Sequence, residues 1–190
     1  KNLFCDSDKT RISRGGNARD MRKACFRGPY HTLPKGGNQV WQPMGAEFDA
    51  YITIDRLGAP QTDGGLCVTT RDLVRFGQLH LQNGVMAGRQ IIPGEWIRDF
   101  RENGDPEVWD KGNFADFMPG FHYRSKWYTD LTDPNRSNLG IGIHGQFLFV
   151  DPVAQVVIAK HSSHPIPVDE TSFAETEQAF RAIAQALSNG

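Results

Sequence analysis

Serines, histidines and carboxylates are the side chains of this sequence that could carry acyl-transfer or metal chemistry, and their spacing restricts the options. No serine sits in a Gly-x-Ser-x-Gly elbow, the strained turn that exposes a nucleophile, and no Ser-x-x-Lys occurs in the 190 residues. The six histidines are scattered. Only His161-Ser-Ser-His164 has ligand-like spacing, and Pro165 directly after it keeps the pair off one helix face. No metal and no cofactor is expected. Asp63 before Gly64-Gly65 suits a ligand contact, and suits a plain turn as well. The most distinctive stretch runs from Gly140-Ile141-Gly142-Ile143-His144-Gly145-Gln146 to Asp151-Pro152. Glycines at the start of a strand let another molecule approach the backbone. A core hairpin with a tight glycine turn has the same composition.

These residues need elements to hold them. After the glycines, the apolar run Phe147–Val150 is followed by Val156-Val157-Ile158-Ala159-Lys160, and so short a link predicts an antiparallel hairpin. Tyr51–Asp55 alternates and is β-branched, which predicts a strand. Leu66-Cys67-Val68 is a short buried run. Thr69 can cap a helix, with Asp72 three residues on in a capping-box-like position. Leu73, Phe76, Gly77 and His80 then share one face, and Asn83-Gly84 ends the helix. A second helix is predicted over 94–101, with Pro93 near its start. Residues 103–120 form a long loop, a length often tied to function. Phe121–Tyr128 alternates aromatic and polar residues and reads as one strand, followed by a polar turn over 130–138. The last helix is predicted over 172–187, with Ser172 and Glu175 as its capping pattern and Phe173, Phe180, Ala184 and Leu187 as its apolar stripe. Strands with helices at the edges give an α+β fold with an antiparallel sheet.

Composition sets further bounds. The chain is long enough for one domain with a real core, and no apolar run approaches the roughly 18 residues of a membrane helix; no membrane partner is expected. Cys5, Cys25 and Cys67 are odd in number and lack metal-like spacing, which argues against a disulfide scaffold and favours a reducing compartment. A cytoplasmic location follows as an expectation, or a periplasmic one were a signal to lie upstream. Nine of the 21 Lys/Arg but three of the 22 Asp/Glu fall in residues 1–40. This basic segment has neither helical spacing nor interleaved aromatics, so no nucleic-acid partner is expected. Gly28-Pro29, Leu33-Pro34 and Gly36-Gly37 are loop signals. Residues 1–40 are expected to hold little regular structure beyond a helical turn near 18–25.

Three segments in order carry a family resemblance: Trp41-x-Pro43-x-Gly45; Gly64-Gly65-Leu66-Cys67-Val68-Thr69-Thr70-Arg71-Asp72-Leu73; and Gly142-x-x-Gly145-Gln146 through Val150-Asp151-Pro152. Together they resemble the C-terminal half of the serine β-lactamase and penicillin-binding-protein superfamily, in particular the esterase-like branch that includes 6-aminohexanoate-dimer hydrolases. The resemblance runs from about Trp41 to Leu187. It implies that 41–190 is the C-terminal part of a β-lactamase-like domain, with 1–40 foreign to the family, as after a frameshift or fusion. It also implies acyl transfer through a covalent acyl-enzyme, with the active serine in Ser-x-x-Lys and a Tyr-x-Asn/Ser motif, both upstream of Trp41 and absent here.

Within the resemblance, the family's third motif falls on Gly140-Ile141-Gly142. The glycine matches and the basic residue does not. Ile143 would supply a backbone N–H to an oxyanion hole, a role that needs no side chain. Gly142 lies beside it, and His144 would replace the missing polar group unless it is a turn histidine. Asp63, Gly64 and Gln146 would face substrate. The expected partners are a small amide or ester substrate and a missing N-terminal half or a second copy. Two classes of function remain: a C-terminal fragment of an amide or ester hydrolase, inactive alone, or a non-catalytic module that binds small amides or peptides in the same groove.

Overall fold

The computed structural model describes residues 30–33, 39–55, 57, 59–60 and 64–188. The expected helical turn near 18–25 and Asp63 lie outside the described residues. Strands and helices are numbered in chain order.

A five-stranded antiparallel sheet organises the molecule. Its order is β10 (Val156–Lys160), β9 (Gln146–Asp151), β8 (Asn138–Gly142), β7 (Trp127–Asp130) and β6 (Phe121–Arg124). Strand alternation sends successive side chains to opposite faces. Leu148 and Val150 of β9, Val157 and Ala159 of β10 and Trp127 of β7 therefore join one core. Phe147, Phe149, Val156, Ile158, Tyr128 and Leu139 join the other. The sheet is apolar on both faces because both faces are covered.

Helix α1 (Thr70–Leu81) covers the first face, packing on β9 and β10. Thr69 caps it, its hydroxyl oxygen accepting from the Asp72 amide at 3.1 Å and its O–H donating to the Asp72 carboxylate at 2.8 Å. Asp72 is fully buried because it also accepts the Glu47 and Phe48 amides at 2.8 and 3.2 Å and Arg75 at 3.1 Å. Gly84, at φ 82°, donates to Leu79 O and closes the helix. Helix α2 (Gly94–Glu102) buries Ile97 and Phe100 on the same face, and Phe100 stacks on Trp127 with centroids 5.2 Å apart. Each such large apolar side chain contributes roughly 1.5–3 kcal/mol on burial. Arg101 ties the layers, donating to Asn138 Oδ1 at the start of β8 at 2.9 Å and to the His80 carbonyl at 3.0 Å.

The second face takes helix α4 (Glu170–Ser188) through Phe173, Phe180 and Ala184. Arg181 of α4 pairs with the buried Asp130 of β7. Strands β1 (Tyr30–Leu33), β2 (Ala50–Thr53) and β3 (Leu66–Cys67) form a separate three-stranded sheet; β4 (Val85–Met86) and β5 (Arg89–Gln90) form a small hairpin; α3 (Pro106–Trp109) is one turn in the long loop.

Three sequence expectations change. Phe121–Tyr128 is not one strand: β6 and β7 pair about a two-residue turn, Ser125-Lys126, with φ of 51° and 73°. The cap of α4 is Asp169, whose carboxylate accepts the Ser172 amide at 3.0 Å, so the helix starts earlier than the Ser172 pattern implied. Tyr30–Leu33 pairs with β2 inside a segment that reads as irregular.

Candidate active site

Strand β8 has glycine at alternate positions, Gly140 and Gly142, on the sheet side opposite Leu139 and Ile141. It ends at the Gly142↔Gln146 pair. Ile143-His144-Gly145 then form a tight turn that joins β8 to β9, with His144 at φ 57° and Gly145 at φ 81° in left-handed backbone. The glycine stretch is therefore the end of one strand, a turn, and the start of the next. Ile143 stands outside the ladder register, at the tip of the hairpin and on the wall of a cleft.

The cleft is a narrow, partly open groove, about 50 Å³ as a cavity and about 560 Å³ when all non-atom space and the open solvent at its mouth are counted. Gly142, Ile143 and Gly145 form one wall and the segment His164–Asp169 another. Phe114, Phe117 and Met118 come from the long loop, and Ser172 and Phe173 from the first turn of α4. Tyr128, Ile141 and Phe147 make the floor. Burial pushes the Tyr128 hydroxyl up to about 12, with Tyr123 adding to the shift, so it stays protonated. Asp169 is held below the usual carboxylate range, first by the Ser172 amide it caps.

The turn and the facing segment are fastened together. The His144 amide donates to Pro167 O at 2.9 Å, and the His164 amide donates to His144 O at 3.1 Å. His144 is buried, and its Nδ1 donates to His164 O at 2.8 Å. A carbonyl only accepts, so Nδ1 carries the proton. Gly145 has φ 81°, and a Cβ there would lie 2.9 Å from His164 Nε2. Glycine is thus required twice over, by conformation and by the ring stacked against it.

The residues singled out from the sequence divide into two groups. Gly142 and Ile143 line the cleft together. His144 braces the turn from behind. Gln146 is buried, and its amide pairs with Ser162: Nε2 donates to Ser162 O at 2.5 Å, and Oε1 accepts the Ser162 amide at 3.3 Å. Its side chain thus extends the β9–β10 pairing and is not part of the cleft wall. Gly64 precedes Gly65, whose carbonyl accepts the Thr53 amide, in the three-stranded sheet, and is not on the cleft wall either. The sequence reading missed His164 in this role, along with Phe114, Phe117, Ile166, Val168 and Phe173. The length of the 103–120 loop was the available signal for the first two phenylalanines. Among the described residues no group of three or more His, Cys, Asp or Glu is placed to hold a metal ion.

No model of a known protein family matches the chain. Over 129 residues it is 36% identical to 6-aminohexanoate-dimer hydrolase from Paenarthrobacter ureafaciens, a span of 67% of this chain and 32% of that enzyme. The solved structure of a "putative 6-aminohexanoate-dimer hydrolase" from Bacillus anthracis has a TM-score of 0.68 and 30% identity, over 80% of this chain and 37% of that one. A "putative beta-lactamase" from Bacteroides dorei gives a TM-score of 0.47 at 16% identity, over 72% of this chain and 48% of that one. The chain therefore spans about a third of the length of the Paenarthrobacter ureafaciens enzyme and of the Bacillus anthracis protein. The fold is mixed α/β with antiparallel sheets, as in the matching part of the Bacillus anthracis protein.

Proposed function

We propose, with the likeness to 6-aminohexanoate-dimer hydrolase as premise, that this chain is the oxyanion and substrate-facing part of a serine hydrolase. That hydrolase would cleave amide or ester bonds through an acyl-enzyme. The observation that carries the reading is Ile143, off the ladder, at a glycine-lined strand end and on the wall of an apolar cleft. An amide proton there can stabilise the negative oxygen that develops when a carbonyl is attacked. The cleft walls would hold the apolar part of the substrate and exclude water. The attacking serine and its lysine are assigned to polypeptide beyond these 190 residues, since no Ser-x-x-Lys occurs in them.

The test is a chimera. The 129 matched residues replace their counterpart in the Paenarthrobacter ureafaciens enzyme, which supplies the remainder. Hydrolysis of a linear amide by the chimera is expected, and Ile143→Pro, which deletes the N–H, is expected to lower kcat by about 10²–10³. Gly142 is extended at ψ 160°, which suits a residue before proline. An inert but folded chimera that still binds short amides would favour the non-catalytic module instead. The chain alone is expected to show no acyl burst with a reactive ester and no labelling by a fluorophosphonate. Stoichiometric labelling of one serine would overturn the assignment of the nucleophile.

A further inference from the structure

We propose that Asn103 is a site of spontaneous deamidation, where the chain converts its own side-chain amide to an acid with water as co-reactant. Asn83, in the same dipeptide, is shielded from that reaction by the fold.

In an Asn-Gly pair the following backbone nitrogen reaches the side chain easily, because glycine has no Cβ in the way. The sequence has three such pairs: Asn83-Gly84, Asn103-Gly104 and Asn189-Gly190. The third lies outside the described residues. In the reaction the glycine nitrogen attacks the asparagine Cγ. An N–Cγ bond forms, the Cγ–Nδ2 bond breaks, and ammonia leaves with the proton that the backbone N–H gives up. Water then opens the cyclic imide at either carbonyl. One route leaves aspartate. The other leaves isoaspartate, whose main chain is lengthened by the side-chain methylene. In sum, an amide and a water become an acid and ammonia.

Both described pairs follow the end of a helix, α1 or α2, and both asparagines are exposed. Their surroundings differ. The Gly84 N–H donates to Leu79 O at 2.8 Å. Asn83 Oδ1 accepts from Arg101 Nη1 at 3.2 Å, and Asn83 O accepts from Gln90 Nε2 at 2.9 Å. Attack at Asn83 requires the cap of α1 to open first. The Gly104 N–H has no hydrogen bond among the described residues. The Asn103 side chain is held through the group that departs: Nδ2 donates to Asp99 Oδ1 at 3.0 Å.

Conversion at Asn103 has local consequences. Asp99 also accepts from Arg124 of β6, Nε at 2.6 Å and Nη2 at 3.0 Å. An acid at 103 replaces a donor to Asp99 by a second negative charge, against the pair that ties α2 to β6. A Cβ on Gly104 would overlap His122 Nδ1, so this glycine sits flush against the ring. Isoaspartate lengthens the backbone just before it and must move it. The loop that begins here carries Phe114, Phe117 and Met118 to the cleft.

The test ages the 190-residue chain in mildly alkaline buffer, folded and in urea, and maps the peptides holding residues 83 and 103 by mass spectrometry. In the folded chain Asn103 is expected to convert about tenfold faster than Asn83, the worth of one hydrogen bond that must break first. In urea the gap is expected to close. Asn103→Gln is expected to abolish conversion at 103 and leave Asn83 as it was. Equal rates in the folded chain would overturn the inference, as would a gap that survives in urea. Conversion of both sites in urea and of neither in the folded chain would also overturn it. In the isoaspartate fraction the His122 ring resonances are expected to shift; an unmoved ring would overturn the consequence drawn for the loop.

Discussion

His144 and His164 hold each other behind the turn: the His144 ring donates to the His164 carbonyl at 2.8 Å, and the His164 amide donates to the His144 carbonyl at 3.1 Å. Two walls of the cleft are therefore one mechanical unit. His144→Ala removes a buried hydrogen bond and leaves a non-glycine residue at φ 57°. The expected cost is about 1–3 kcal/mol. His144→Asn keeps a donor and tolerates left-handed backbone, so it should cost less. Urea midpoints at unchanged slope would check this, and equal loss in both variants would count against the ring's bond.

Gly145 and Gly45 separate two costs that usually come mixed. Their φ values are 81° and 80°, but a Cβ on Gly45 meets nothing within 4 Å, whereas one on Gly145 meets the His164 ring. Alanine at either position should cost about 1–2 kcal/mol for conformation. Gly145→Ala should cost more than Gly45→Ala and shift the His164 resonances, because the ring must move. Equal destabilisation would mean that the ring yields freely.

Gly77 tests the packing of α1. Alanine is the better helix former by about 1 kcal/mol. Here its Cβ would lie 2.5 Å from Val157 Cγ1 and 2.9 Å from Leu148 Cδ1. Overpacking of this kind costs about 1–3 kcal/mol, so Gly77→Ala should be neutral to destabilising in thermal melts. A raised Tm would show that the sheet relaxes around it.

Acid should weaken the fold through His80. This residue is fully buried, with Nδ1 donating to Phe76 O at 2.7 Å and Nε2 without a partner. Desolvation lowers its pKa from 6.5 to about 4, and Arg101 adds to the lowering. The unfolded chain then binds the proton first, so stability is full above about pH 6.5 and falls as pH drops toward about 4, by roughly 3 kcal/mol. Burial lowers His122 as well, which adds with the same sign. His80→Leu should flatten the pH dependence of denaturant midpoints over that window. An unchanged slope would assign the acid sensitivity elsewhere.

Residues that act through local rules could be read in advance. Thr69 and Asp72 announced a helix start, Asn83-Gly84 its end, and the two apolar runs after Gly145 their hairpin, because caps, glycine turns and alternation are short-range. The β6–β7 turn was hidden because Ser125 and Lys126 take positive φ without glycine, held there by the pairing on either side. The α4 cap was misplaced by three residues because Asp169 and Ser172 are both good cap residues; the Asp169 carboxylate takes the role by accepting the Ser172 amide. Gly142 and Ile143 stand out in the sequence as a glycine pattern. Nothing local marks Ile166 or Val168 as their neighbours; they reach the cleft through long-range closure of the chain.

The Trp127 indole lies 4.6 Å from the His80 ring and 5.2 Å from Phe100, centroid to centroid. A charged imidazole draws off indole emission where a neutral one does so weakly. The molecule thus carries its own optical indicator: dimming of tryptophan light at constant circular dichroism would report protonation inside the intact fold, before any strand lets go.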